Sequence, residues 1–340
     1  MKHVLTDIKS TPVQVFGINL YTDIVIDLFD VVAVIDDFSN LQKFKNRPVL
    51  KRASADKSIP VINCAGGQIL TTQDLLKKDF KQVIHFAEIL SEGSILACDL
   101  RFNEDFAAIY KKEETRFDAV RRSFSDVESR LLFDKVINFR KSYNIDYLEG
   151  LEDLQSQQYF EPFIFLDESS VFYDVGCFDG FTSLEFMRLA GEEATVVYFE
   201  PNKRNLKKIR KKLGSGANIF EQNVGLSNDD GEAFITDNGS ESTANLHYGT
   251  PIKLAKLDSL SGLPAPSFVK LDIEGHEVPA LEGMAKTLSN YQPYLAVACY
   301  HYPRQMIEVF ETINMLGIYK KVSFRHYTES IYESVLFFYN

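Results

Sequence analysis

The sequence predicts an α/β protein of two domains, a smaller open-sheet domain followed by a larger Rossmann-like domain that closes in an antiparallel hairpin. Three observations predict it. Short apolar runs of strand length alternate with helical patterns in both halves of the chain. A glycine-bearing loop joins one such strand to a helix in VFYDVGCFDGFTSLEFMRLAG, from Val171. The last residues, KKVSFRHYTESIYESVLFFYN, read as two strands joined directly. Strands separated by helical crossovers pair in parallel, whereas directly joined strands pair antiparallel at a sheet edge. At 340 residues the chain has room for two cores.

The first domain spans residues 1–98. It opens with the strand VQVFG from Val13, the helical INLYTDIVIDLF and the strand DVVAVIDDF, and continues through IPVINCAGG and KQVIHFA. Its first loop carries Gly17 alone, where a dinucleotide fingerprint has three glycines. A nucleotide pocket with Asp36 or Asp37 on a ribose is therefore disfavoured, and a scaffold role is expected. Residues 99–165 change character. FAAIYKKEETRFDAVRRSFSDVESRLLFDKVINFRKSY holds neither glycine nor proline, with charges and apolar residues at helical spacing. It reads as a helical connector of two or three helices, broken and capped at Ser125 or Asp126. Residues 166–340 form the second α/β domain, with strands at VFYDVG, ATVVYFE, NIFEQNV, SFVKLDIE and YLAVACY and helices after the first, second, fourth and fifth.

Charge and cysteine usage narrow the partners. A net charge of −11 repels a phosphate backbone, so no nucleic acid is expected. The basic run KRNLKKIRKKL places Leu206, Ile209 and Leu213 at helical spacing and reads as the solvated face of a helix. No stretch approaches the ~20 apolar residues of a membrane span, and the start lacks the apolar core of a signal peptide, so a cytoplasmic protein is expected. Cys64, Cys98, Cys177 and Cys299 form no C-x-x-C pair, which argues against a zinc site or a disulfide framework.

In open α/β sheets, ligands bind beyond the carboxyl ends of the strands. Asp174-Val-Gly-Cys-Phe-Asp-Gly180 stands at such a place, with Gly176 allowing close backbone approach, Phe178 in the loop and Gly180 turning the chain into the helix. A carboxylate at Asp174 would repel a pyrophosphate and favour a cofactor with a positive centre and an ammonium. S-adenosylmethionine (SAM) carries both. Glu200, at the end of the second strand, is placed to accept from both ribose hydroxyls, and Asn223, at the third, to serve the adenine edge.

The residues KLDIEGHE, Lys270 to Glu277, follow the fourth strand, where Asp272 and Glu274 should share one strand face. His276 is a further candidate for acceptor binding. His301, in YHYPRQ just past the fifth strand, suits a proton acceptor near neutral pH, with Pro303 opening the next helix. Asp272, Glu274 and His301 are also hard or borderline ligands for a divalent metal, although no compact motif favours one. The polar segment ITDNGSESTANLHYGTP reads either as a loop over the pocket or as a surface excursion.

DVGCFDGFTS, YFEPN, NVGLSNDDGEAF, FVKLDIEGHEVPALEGMAKTL and HYTESIYESVLFF resemble the FkbM family of SAM-dependent O-methyltransferases, over Val171 to Asn340. Upstream, DVESRLLFDKVINFR and QYFEPFIF are similar to the helical lead-in of two-domain FkbM members, whose first domain is a degenerate Rossmann-like module. Cys177 and Phe178 occupy positions that vary in the family, and Gly225 stands where alanine is common. The resemblance implies a class I SAM methyltransferase fold and methyl transfer to a hydroxyl, with a carbohydrate of a bacterial surface polysaccharide or its precursor as acceptor. The first domain is expected to present that acceptor or to pair two copies of the chain. Two rivals stand beside it. One is a non-catalytic module that retains the fold and SAM binding, and the other is a nicotinamide oxidoreductase, which the single Gly17 disfavours.

Overall fold

The computed structural model describes residues 11–91, 100–236 and 249–340, together with the backbone of 244–245. His3, Cys98, His247 and most of the polar segment from Ile235 lie outside the described residues. The protein is mixed α/β and divides into two compact units. Unit 1 takes Met1–Ala108, Asp134–Asp153 and Tyr327–Tyr332, and unit 2 takes Ile109–Phe133, Leu154–His326 and Glu333–Asn340. The division expected at 1–98, 99–165 and 166–340 follows chain order, whereas the observed units do not. Helical periodicity shows that a segment is amphipathic but not which core its apolar face joins.

Unit 1 is built on a six-stranded sheet of β1 (Val13–Phe16), β2 (Val31–Ile35), β3 (Lys43–Phe44), β4 (Arg47–Leu50), β5 (Val61–Asn63) and β6 (Val83–His85), in the order β3-β4-β2-β1-β5-β6. All neighbours are parallel except β3 and β4. That hairpin turns through Lys45 and Asn46, at φ 44° and 64°, the doubly left-handed turn that matches strand twist. Between the strands run α1 (Leu20–Leu28) and α2 (Ile69–Lys77), and α3 (Phe86–Ser91) follows β6.

At the first loop of unit 1, the Asn19 side chain accepts from Tyr21 N and Thr22 N, so the amides that would cradle a pyrophosphate are already engaged. Asp36 accepts from Phe38 N and Ser39 N in a local turn, and Asp37 pairs with Arg52. Calorimetry of the full chain with NAD at micromolar concentrations should therefore show no saturable binding. A well-defined isotherm would refute the scaffold reading.

The helical stretch α4 (Phe106–Ser123), kinked at Glu113, and the helix α5 (Val127–Ser142) part at Ser125 and Asp126, where the sequence suggests. Asp126 caps α5, accepting from Ser129 N at 2.7 Å and from Ser129 Oγ at 2.7 Å.

Unit 2 has a seven-stranded main sheet. Its strands are β7 (Val171–Val175), β8 (Thr195–Phe199), β9 (Ile219–Gln222), β14 (Phe268–Leu271), β15 (Tyr294–Ala298), β16 (Lys321–His326) and β17 (Ser334–Tyr339). A small second sheet is made by β10 (Gly225–Leu226), β11 (Gly231–Ile235), β12 (Ala244–Asn245) and β13 (Thr250–Ala255). The main sheet runs β16-β17-β15-β14-β7-β8-β9, parallel from β15 to β9 and closed by the antiparallel β16–β17 hairpin. Helices α6 (Phe181–Ala190), α7 (Lys203–Leu213), α8 (Glu277–Glu282), α9 (Ala285–Tyr291) and α10 (Gln305–Asn314) follow β7, β8, β14 and β15.

The core of unit 2 is aromatic where the central strands meet a helix. Phe172 on β7 packs its ring 4.8 Å from that of Phe186 on α6 and 4.9 Å from that of Phe268 on β14. All three are fully buried. Their burial holds β7 and β14 side by side, and strand order reverses between these two, the place where open sheets bind ligands.

Candidate functional site

The loop after β7 is held by backbone geometry that few residues allow. Gly176 sits at φ 78°, and a Cβ there would lie 1.9 Å from the Asp272 carbonyl oxygen beyond β14. Only glycine lets the two strand ends approach so closely. Phe178, at φ 50°, donates its N–H to Glu200 Oε2 at 3.1 Å, and its half-exposed ring lies beneath Lys208 Nζ. Gly180, at φ 79°, opens α6.

Asp174 does not face this loop. Strand register sets it beside Lys270 of β14, whose Nζ lies 3.1 Å from Oδ1, and Ser183 Oγ donates to Oδ2 at 2.7 Å. The carboxylate is fully buried with both oxygens engaged. Lys270 also donates to Gly176 O at 2.7 Å, so the pair braces the loop from within. Burial alone would favour the neutral amine of Lys270, but the Asp174 and Asp272 carboxylates hold it charged, above the ordinary lysine range. The expectation that Asp174 meets a cationic ligand directly is replaced by this internal ion pair.

Glu200 ends β8 as a buried, fixed carboxylate. Oε1 accepts from Asn202 N at 2.8 Å and Oε2 from Phe178 N, so each oxygen keeps further acceptor capacity. Burial raises its pKa, against the pull of these donors. Asn223 is exposed at the end of β9 and donates Nδ2 to Glu200 O at 3.0 Å and Pro201 O at 3.1 Å, tying two strand ends together.

Beyond β14 and β15 lies a cluster of carboxylates around one imidazole. β14 ends at Leu271, and the chain then turns through Glu274 at φ 57° and Gly275 at φ 97°. Strand alternation therefore does not set the faces of Asp272 and Glu274 as expected. The turn brings both towards His301, whose Nε2 lies 3.4 Å from Asp272 Oδ1 and 3.9 Å from Glu274 Oε2. Tyr159 donates to Asp272 Oδ2 at 2.7 Å.

On the other edge of the ring, Nδ1 lies 3.1 Å from Oε1 of the fully buried Glu277. That oxygen also accepts from Ile273 N at 2.9 Å, and the second accepts from Gln305 Nε2. Tyr300 packs its ring 4.1 Å from the imidazole and donates to Glu333 Oε1 at 3.3 Å.

Burial would lower the pKa of His301, but Glu277 first, then Asp272 and Glu274, outweigh it and raise the value to about 9. The imidazole is thus protonated at neutral pH. Glu333 is pushed up to about 7, by burial and then by the Asp272 carboxylate, while Gln158 opposes the shift by donating to it at 2.7 Å.

Of the residues singled out in the sequence, Asp272, Glu274 and His301 come together. His276 instead meets Ser227 Oγ at 3.0 Å, and His326 meets Ser334 Oγ at 2.8 Å within the terminal hairpin. Glu277, Tyr159, Glu333 and Lys270 were not picked out as site residues. The one sequence signal among them is Lys270, a cation inside an otherwise apolar strand.

Among the described residues, Asp272, Glu277 and His301 bring potential metal-ligating atoms within 4.8 Å of one another. The two carboxylates flank opposite ring nitrogens, however, and one ion can bind only one of these. The geometry is that of an imidazolium ion-paired on both edges.

Comparison with known proteins agrees with this architecture. Residues 174–326 match the Methyltransferase FkbM domain family. The fold is similar to the crystal structure of methyltransferase FkbM from Methylobacillus flagellatus KT, at 18% identity and a TM-score of 0.75, covering 99% of this chain and 92% of that one. Weaker likenesses include precorrin-6y C5,15-methyltransferase from Geobacter metallireducens GS-15, at 14% identity and a TM-score of 0.33, covering 52% of this chain and 80% of that one. Aeropyrum pernix fibrillarin, solved with natively bound SAM, gives 10% identity and a TM-score of 0.33, covering 51% of this chain and 67% of that one. Comparison with curated proteins gives no match.

Proposed function

We propose, from the premise that residues 174–326 form an FkbM-type methyltransferase domain, that unit 2 binds SAM and methylates a hydroxyl group. The observation that carries this reading is the pairing of two features on one sheet edge. Glu200 is a fixed carboxylate with spare acceptor capacity at the end of β8, and an anionic cluster around His301 lies beyond β14 and β15. The first suits a pair of ribose hydroxyls, and the second suits a cationic ligand beside an acceptor hydroxyl. The residues thus fit SAM, with Gly176, Phe178 and Gly180 shaping the loop, Asn223 at the adenine end and Asp272 towards the ammonium.

When bound, SAM supplies a methyl on a positively charged sulfur that departs as a neutral thioether. With SAM in place, Nε2 of neutral His301 would take the proton of the acceptor hydroxyl. Asp272 and Glu274 flank that nitrogen and orient the acceptor. No metal is needed for this proton transfer, so a chelator should leave turnover unchanged. The acceptor class, a carbohydrate hydroxyl of a surface polysaccharide or its precursor, rests on the FkbM resemblance. Among the described residues no helix is long and apolar enough to cross a membrane.

Glu200→Ala should weaken SAM or S-adenosylhomocysteine binding by about 1–3 kcal/mol, the cost of leaving hydroxyls unpaired. Titration calorimetry on the full chain reads it directly, and unchanged affinity would overturn the cofactor assignment.

A further inference from the structure

We propose that Glu277 is the positioning residue for His301, holding the imidazole by Nδ1 so that Nε2 is presented to the acceptor. The inference rests on the methyl-transfer reading for its kinetic consequence, but its geometry stands independently. Glu277 is the first residue of α8 and has no exposed surface. Burying a carboxylate costs several kcal/mol unless compensated, and here two hydrogen-bond donors and one imidazolium converge on it. Ile273 N and the Gln305 side chain each donate to it, and His301 Nδ1 lies 3.1 Å away.

Gln305 closes the arrangement, because its Oε1 accepts from His301 N at 2.6 Å. Backbone and ring of His301 are thus both tied to the same buried pair, leaving little freedom for the ring to flip. The Glu277 carboxylate 3.1 Å from Nδ1 favours the proton there, so a neutral imidazole keeps its lone pair on Nε2, on the side of Asp272 and Glu274. When Nε2 takes the acceptor's proton, the Nδ1 proton stays in place, and the new charge is paired on both edges.

A capping role alone would need only the contact with Ile273 N. The ring nitrogen at ion-pair distance and the second tie through Gln305 go beyond a cap. The other charged or titratable groups facing His301 are Asp272 and Glu274 from the turn after β14, Tyr300 beside it and Glu333 just before β17. Tyr159 acts through Asp272. Of the three carboxylates that raise the pKa of His301, Glu277 acts most strongly.

The test is Glu277→Gln in the full chain, read in two ways. NMR titration of labelled histidine, with the His301 signal assigned by its loss in His301→Gln, should show its pKa falling by about one unit or more. Turnover at saturating acceptor, compared on the high-pH plateau where the imidazole of both proteins is neutral, should fall by about 10-fold or more, with acceptor KM and SAM affinity within about twofold of the parent. Glu277→Asp, which keeps the charge, should recover part of both and serves in its place if the glutamine variant fails to fold. An unchanged His301 titration, or a change confined to KM, would overturn the proposal. So would activity lost to a chelator and restored by magnesium or manganese. Absence of SAM binding in the parent protein would instead refute the methyl-transfer reading while leaving the titration result intact.

Discussion

His301→Ala should lose about 10²–10⁴-fold in turnover at saturating acceptor while retaining SAM affinity, because a group that only removes a proton contributes to the transition state and not to cofactor binding. Raising the pH should restore part of the loss if hydroxide can take the base's place. Alanine also leaves the buried Glu277 without its cation, so stability should fall by about 3 kcal/mol. His301→Gln retains a donor in that position and separates the two effects: it should recover stability without recovering turnover.

In the parent protein the folded pKa of about 9 lies above the ordinary value of 6.5. The ion pairs therefore contribute stability in full below about pH 6.5, and that contribution is lost as the pH rises through about 9. Turnover should move the other way, rising with pH over the same window as the imidazole becomes neutral. Near-parent turnover in His301→Ala together with its loss in Glu274→Ala would transfer the base assignment to the carboxylate.

Gly176→Ala should be the most damaging single change in the loop. Its φ of 78° is strained for alanine, and the added Cβ would meet the Asp272 carbonyl oxygen at 1.9 Å, a backbone atom that cannot rotate aside. Either the loop or the end of β14 must move, breaking the hydrogen bond from Lys270 to Gly176 O and the approach of Asp272 to His301. A loss of about 3 kcal/mol or more is expected, with SAM affinity reduced by about 100-fold or more. Gly214→Ala is the control. Gly214 has φ 72° but no atom within 4 Å of its Cβ position, so it isolates backbone strain, at about 1–3 kcal/mol. Equal unfolding midpoints for the two variants would refute the close approach at Gly176.

Much of the fold was legible because it depends on local pattern. Val171–Val175 is an apolar run of strand length, Gly176 and Gly180 supply the left-handed conformations that its loop requires, and the two last strands have no helix between them, only residues 327–333. These are properties of a few consecutive residues, and no distant contact is needed to read them. The arrival of Asp272, Glu274 and His301 at one edge was legible for a related reason. Each directly follows a parallel strand, and parallel strands all end on the same side of a sheet.

What each side chain does there was decided by the tertiary structure. Asp174 has the chemistry of a ligand for a cation, but register sets it opposite Lys270, 96 residues later, and their ion pair consumes it. The face shared by Asp272 and Glu274 is set by a left-handed turn and not by strand alternation. Tyr159, Glu277 and Glu333 gather near His301 from segments far apart in the chain, and the charge of that histidine is held first by Glu277, then by Asp272 and Glu274, none of them its neighbour in sequence. The sequence by itself determined the α/β class, the strand-loop-helix at Val171 and the chemistry available at the strand ends, because these follow from periodicity, backbone conformation and residue type. Tertiary structure alone decided which carboxylates are spent on internal ion pairs and which surround His301, because Coulomb energy depends on distance and burial, and neither is a property of sequence separation.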